Sequence, residues 1–400
     1  MPEQPIQSTP TTSRLQFIDY FRGFAVLMMI ETHVVNALLH PSLRDSDFFK
    51  VLTFINGLVA PSFLFCAGFA LAITLTKKHS DFFAMNSVFR KYIFRITSIF
   101  AFGYLLHLPV FSLRKMIHLS DDKQWMLFLQ SDILQVIALS LIFLTLFFLI
   151  VKEEKKYLLL ITAIGLFVVF ASPIVRAFNL DDFPMWFRPY FTLKYKSQFP
   201  LFPWSAFVIA GVLFGYGYLF VRKKENAQQY FSRLPFYALG GILCSLVIEL
   251  LPLTLYPSHN FWNASPEFFF VRIGIVVVFC YAFWWLENNL QTINVSFNVL
   301  ANKIFDSFFL FLVTLGKESL LVYITHLLII YGFANLGMSY FAYFGKNMNY
   351  AQCVLLTLTL EVAMFALAYY WGWLKANKKG TFAKLQFATF IVALICFLVM

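Results

Sequence analysis

The chain has 400 residues, 60% of them hydrophobic and only 13% charged, with a net charge of +11 and a mean hydropathy of +0.73. That much apolar surface cannot be buried in a water-soluble domain, so the composition excludes one and indicates an all-α polytopic membrane protein. The basic excess sits in short loops, which gives no reason to expect nucleic acid as a partner.

Residues 1–13 are rich in Pro, Thr, Ser and Gln and lack a basic segment of the signal-peptide kind; they are expected to form a disordered cytoplasmic tail. Residues 14–400 are expected to form a single transmembrane domain. With about 20 apolar residues needed per span, about eleven are expected, at roughly 17–39, 51–76, 92–112, 131–151, 157–177, 201–221, 235–254, 268–287, 317–335, 349–373 and 383–400. Gly316-Lys317-Glu318 interrupts the ninth after a further apolar run at 304–315, so one kinked helix and a half-helix followed by a span both fit.

Loops carrying Lys77, Lys78, Arg90 and Lys91, then Lys152, Lys155 and Lys156, then Arg222 to Lys224 with Arg233, then Lys375, Lys378 and Lys379 all fall on one side. The positive-inside rule makes that side cytoplasmic, with the N-terminus inside and the C-terminus outside. The longest outer segment, "FNLDDFPMWFRPYFTLKYKSQFPLFPW", is aromatic and basic, suited to the interface or to a substrate mouth. Cys66, Cys244, Cys280, Cys353 and Cys396 all lie in apolar runs and are expected to be free thiols.

The first span, in "RLQFIDYFRGFAVLMMIETHVV", is unusually charged. Charges at membrane depth are costly and normally face a cavity or a partner. Asp19 precedes Arg22 by three residues and can pair with it. Arg22 and His33 fall on nearly the same helix face, and His33 lies ~24 Å above Phe17 by helical rise. Glu31 points away from His33. In the third span, Lys91 and Arg95 sit one turn apart at the inner end and His107 in the outer half. Asp132, Gln135, Glu249 and His326 also fall in outer halves, and Glu361 near mid-depth.

Fixed cations therefore gather inside, and histidines and acids outside. Inner Arg and Lys suit phosphates, in particular those of a pyrophosphate-bearing co-substrate. An outer histidine suits proton transfer or transient acyl carriage, because imidazole titrates near neutrality. No Cys/His metal spacing, phosphate-binding G-x-x-x-x-G-K-[ST] or G-x-S-x-G elbow occurs. Simpler roles fit the same residues. Arg14 and Lys91 suit ordinary membrane anchors, Asp19–Arg22 a structural ion pair, and His107 and His326 helix–helix hydrogen bonds.

"RLQFIDYFRGFAVLMMIETH" resembles the opening signature of transmembrane acyltransferases, R-x-x-x-x-D-x-x-R-G followed by an apolar run and a polar residue. "VAPSFLFCAGFAL", "SDILQVIALSLIF", "FPLFPWSAFVIAGVLFG" and "LGKESLLVYITHLLII" are similar to successive blocks of the heparan-alpha-glucosaminide N-acetyltransferase catalytic-domain family, spanning about residues 14–335. The resemblance implies an enzyme that takes an acyl group, usually acetyl, from cytosolic acyl-CoA and delivers it to an extracytoplasmic sugar or glycan. By position, Arg14, Asp19 and Arg22 match the signature. Lys91 and Arg95 resemble the basic R-x-x-x-R element of the related acyltransferase-3 proteins, with Lys for the first Arg. His33 matches the catalytic histidine of those proteins. The heparan enzyme has Asn at that place and its proposed active histidine in the following loop, where this chain offers His40.

The expected protein is thus an acyl-CoA-dependent membrane acyltransferase of a bacterial inner membrane, with acetyl-CoA as co-substrate and no metal. Arg14, Asp19, Arg22, Lys91 and Arg95 would hold CoA. His33 would act as general base or acyl carrier, assisted by His107 or His326. Membrane lipid surrounds it, and self-association stays open. The alternative is a secondary transporter for a small sugar or organic acid using Asp19, Glu249 and Glu361; the absence of a detectable inverted repeat counts against it. A non-catalytic scaffold gives no reason for the charges to segregate.

Overall fold

The computed structural model describes residues 15–224, 227–251, 256–257, 261–296, 299–334 and 337–399. Arg14, the tail at 1–13 and His259 lie outside them. The described residues are helical and contain no strand beyond an isolated bridge between Leu39 and Met348.

The main helices are α1 (Gln16–Leu38), α2 (Asp47–Asn56), α3 (Val59–Lys77), α4 (Ser87–Leu105), α5 (Ile133–Val151), α6 (Glu154–Ala177) and α7 (Leu201–Lys223). They continue as α8 (Ala227–Glu249), α9 (Pro266–Ser296), α10 (Val299–Lys317), α11 (Ser319–Tyr331), α12 (Tyr350–Asn377) and α13 (Lys379–Val399). Among the described residues, nine of the expected spans are helices long and apolar enough to cross a membrane, α2 and α3 counting together as one. The all-α polytopic architecture follows directly.

Two expected spans differ in form. The third is α4, which stops at Leu105, well short of residue 112. Arg90, Lys91 and Arg95 all fall within its 19 residues, and beyond it the chain turns through Pro109 to Ser112, which caps a separate short helix. The ninth is a broken pair, α10 and α11, bent by 83° at Lys317–Glu318. The Glu318 carboxylate accepts from Lys375 Nζ at 2.7 and 2.8 Å, pinning the bend to the end of α12.

α1 packs against α3, α9, α10, α11 and α12, and its apolar side chains are buried on several faces. This is why a charged sequence is tolerated there: α1 meets protein, not lipid. Close approach depends on glycine. A Cβ at Gly23 would come within 2.0 Å of the Leu312 carbonyl oxygen, and one at Gly316 within 2.1 Å of that of Asp19, so α1 and α10 touch backbone to backbone. Gly68 of α3 and Gly211 of α7 form the same reciprocal contact.

The ends of α1 are held differently. Glu287 of α9 accepts hydrogen bonds from Gln16 N (3.1 Å) and Phe17 N (2.9 Å), completing orphan donors of the first turn. At the other end the Arg44 guanidinium donates to the carbonyls of Val35, Asn36 and Leu39. α13 lies at the periphery, exposed along its length, as a helix facing lipid would be.

Candidate active site

At the Arg44 end, α1, α4, α5 and α11 converge, and the three expected histidines with them. The start of α5 is the organising element. "SDILQ" builds a capping box: Asp132 Oδ1 accepts from Ile133 N at 2.6 Å, and Gln135 Oε1 accepts from Asp132 N at 3.2 Å. The cap leaves Asp132 Oδ2 free for longer-range partners. It accepts from Tyr323 Oη at 3.0 Å and lies 3.3 Å from His107 Nε2.

Gln130 Nε2 lies 2.6 Å from His107 Nδ1; an amide nitrogen can only donate, so Nδ1 accepts and Nε2 carries the proton toward Asp132. Asp132 is 4% exposed, so these bonds act where little water screens them. Gly103 makes the arrangement fit, since a Cβ there would meet the Gln135 amide at 2.5 Å.

Tyr323 precedes His326 by three residues on α11, which puts both on one face, their rings 5.9 Å apart. His326 is fully buried, and its Nδ1 lies 2.7 Å from the Val322 carbonyl oxygen. A carbonyl can only accept, so Nδ1 holds the proton, and Nε2 of the neutral ring presents a lone pair. That Nε2 is enclosed and has no hydrogen-bond partner among the described residues.

His33 faces it from α1, with ring centroids 5.2 Å apart and planes at 51°. The Tyr331 hydroxyl donates to the His33 carbonyl (3.3 Å) and lies 3.4 Å from His33 Nδ1. Two imidazoles, one with an unengaged basic nitrogen, stand beside a buried carboxylate–tyrosine–histidine network. Such a group can accept a proton from a hydroxyl or amine brought between the rings.

The cationic end is less assembled. Arg22 Nη1 lies 3.8 Å from Asp19 Oδ1 and donates to the Gly316 carbonyl at 3.4 Å, at the α10–α11 bend. A groove beside that bend is lined by Thr314, Lys317, Glu318, Tyr369, Gly372 and Trp373. Lys91 and Arg95 are exposed on α4, which packs on α5, and form no ion pair or hydrogen bond among the described residues.

The structure therefore brings His33, His107 and His326 together and pairs Asp19 with Arg22. It does not bring Lys91 and Arg95 to that pair. Gln130, Asp132, Tyr323 and Tyr331 were missing from the expected site. The signals were present in part: a capping box leaves one carboxylate oxygen unused, and Y-x-x-H places two polar side chains on one face of a helix.

The profile of the family described as heparan-alpha-glucosaminide N-acetyltransferase, catalytic, matches residues 14–259. The chain belongs to this family. Membership makes it a membrane acetyltransferase in general terms, of a family that uses acetyl-CoA as donor and a glycan as acceptor. No curated protein matches the chain. The matched region holds α1 to α8, including His33, His107 and Asp132; His326 and Tyr323 lie beyond it and join the site through the fold.

Proposed function

We propose that this protein takes an acetyl group from acetyl-CoA at the Asp19–Arg22 end and passes it to a sugar hydroxyl or amine at the His33–His326 end, on the opposite side of a bacterial inner membrane. The loop cations put the Asp19–Arg22 end in the cytoplasm. Arg22 and His33 are ~16 Å apart by helical rise, a gap the pantetheine arm would span.

The observation that carries the reading is the enclosed His326 Nε2 opposite His33, without a hydrogen-bond partner among the described residues. Buried polar atoms normally find partners, and an unemployed basic nitrogen in a dry site is a proton acceptor waiting for a donor. In the proposed step His326 Nε2 takes the acceptor's O–H or N–H proton as the acceptor atom attacks the thioester carbonyl. The C–S bond then breaks, and the proton returns through the facing imidazoles to the CoA thiolate. Asp132 holds Tyr323 beside His326 and orients His107. Arg22 supplies a charge-assisted contact to a CoA phosphate.

Acetyl-CoA titration by calorimetry tests the donor end. Arg22→Ala or Arg95→Ala should weaken binding by about 1.5–3 kcal/mol if that side chain contacts phosphate. Because Lys91 and Arg95 are on a separate helix, the two variants report on separate contacts. Unchanged affinity in both would remove the cationic end from the reading.

A further inference from the structure

Arg272 lies near the start of α9, within an apolar span, and is 8% exposed. Its Nε is enclosed without a partner, and the guanidinium forms no ion pair and no hydrogen bond with any described residue. Arg44 and Arg176, at the same end of the bundle, behave differently. Arg44 is committed to the end of α1, and Arg176 donates to the carbonyls of Phe202 (2.8 Å) and Asn263 (3.1 Å). A desolvated guanidinium without a counter-charge is costly, so an empty-handed one is unusual.

The surroundings tolerate the cation without satisfying it. The guanidinium lies 3.9 Å from the Phe268 ring centroid and 5.9 Å from that of Trp204. On its far side is Gly57, at the bend between α2 and α3, where a Cβ would come within 2.6 Å of Nη2. The missing side chain leaves the room that the guanidinium occupies.

Arg272 is also joined to the histidine cluster. Trp204 packs on Phe199 at 4.8 Å, and Phe199 N donates to the Ser131 carbonyl at 3.1 Å, one residue before Asp132. A chain of contacts through Trp204, Phe199 and Ser131 thus runs from the cation to the capping turn that holds Asp132.

We propose that Arg272 binds an anionic group, a carboxylate or a phosphate-like oxyanion, on the acceptor whose hydroxyl or amine meets His326. The proposal rests on the acyl-transfer reading for the identity of that site. Arginine suits the task because its planar fork takes two oxygens at once, and here none of its donors bonds a described residue.

The test measures binding to the full-length protein in nanodiscs, without acetyl-CoA, for three probes: methyl glucoside, methyl glucuronide and glucose 6-phosphate. At least one charged probe should bind roughly tenfold or more tightly than the glucoside, as a charge-assisted contact requires. The tighter of the two tells carboxylate from phosphate. Arg272→Gln should reduce the charged probe to the glucoside's level, and Arg272→Lys should keep part of the preference. Gly57→Ala keeps the charge but displaces Nη2, and should weaken the preference by a smaller factor. A wild type without preference, or without binding of any probe, overturns the proposal, as does a preference that survives Arg272→Gln. If Arg272→Gln loses all probes alike and melts early while Gly57→Ala is unaffected, the cation is structural and the proposal falls. Because the assay omits acetyl-CoA, a charge preference in a protein that fails to bind acetyl-CoA would sink acyl transfer and leave this site standing.

Discussion

The two ends of α1 carry polar residues in similar number but treat them in opposite ways. At the His33 end, His107, Asp132 and Tyr323 are linked by short contacts among buried atoms, and His326 stands against Tyr323 and His33. At the Asp19 end, Arg22 makes a loose ion pair with Asp19 and one long bond to a carbonyl, and Lys91 and Arg95 project from another helix without partners among the described residues. Buried polar groups lose water on folding and must be satisfied by the fold itself, so that end is organised in advance. Lys91 and Arg95, exposed on α4, keep their water and can wait for a ligand to order them.

The contrast can be broken most sharply at His326. His326→Gln should lose 10²- to 10⁴-fold in acetyl transfer while acetyl-CoA affinity, proposed to be set at the other end, stays put. His33→Ala provides the comparison: equal losses mean the facing rings work as a unit. If His33→Ala alone abolishes transfer, His33 is the base and His326 only positions it. Normal turnover in both would remove histidine chemistry altogether.

The next effect is on stability. Asp132→Ala removes the α5 cap and strands the hydrogen-bond donors of Tyr323 and His107, which should cost about 2–4 kcal/mol in denaturant unfolding. Asp132→Asn keeps an acceptor oxygen and should lose clearly less. An alanine variant as stable as the wild type would mean that the network is not what orders this end.

At the opposite end the order comes from packing. Gly316→Leu forces a side chain against the Asp19 carbonyl and should cost about 1–3 kcal/mol or more, while displacing the carbonyl that Arg22 binds. Unfolding and acetyl-CoA titration on the same variant would show whether α1–α10 contact and donor binding are coupled. A fully stable Gly316→Leu protein would contradict the close approach.

The smallest effect lies in the loop between α6 and α7. There the Asp181 carboxylate accepts from Lys194 Nζ (2.7 Å) and Tyr195 Oη (2.6 Å), and these bonds hold its pKa down at about 2. A lowered carboxyl pKa contributes stability above the ordinary value near 4 and loses it as pH falls toward about 2. Amide exchange across residues 178–200 should therefore be flat from pH 7 to 5, once corrected for intrinsic rates, and accelerate only below about 4. Acceleration beginning near pH 6 would implicate a different group.

Most of the fold was legible because a bilayer imposes a simple rule: about 20 apolar residues make a span, and cations mark the loops. The two exceptions share a cause. α4 and the α10–α11 pair carry charge inside their apolar runs, and whether such a run crosses straight, shortens or breaks depends on what its neighbours offer. Lys375 meets Glu318 at the bend, and its place in the sequence says nothing of that contact.

For the site, the sequence by itself determined which residue types were out of place in an apolar chain, and so selected His33, His107, His326, Asp19 and Arg22. Their cost in hydrocarbon is local, and can be read one residue at a time. Only the tertiary structure decided which of them meet. Asp132 with Tyr323, and His33 with His326, are pairs drawn from helices distant in sequence, fixed by how far glycines let α1 approach its neighbours and by the capping turn that aims a carboxylate inward. Helical periodicity orients a side chain about its own axis; it does not say which helix stands opposite.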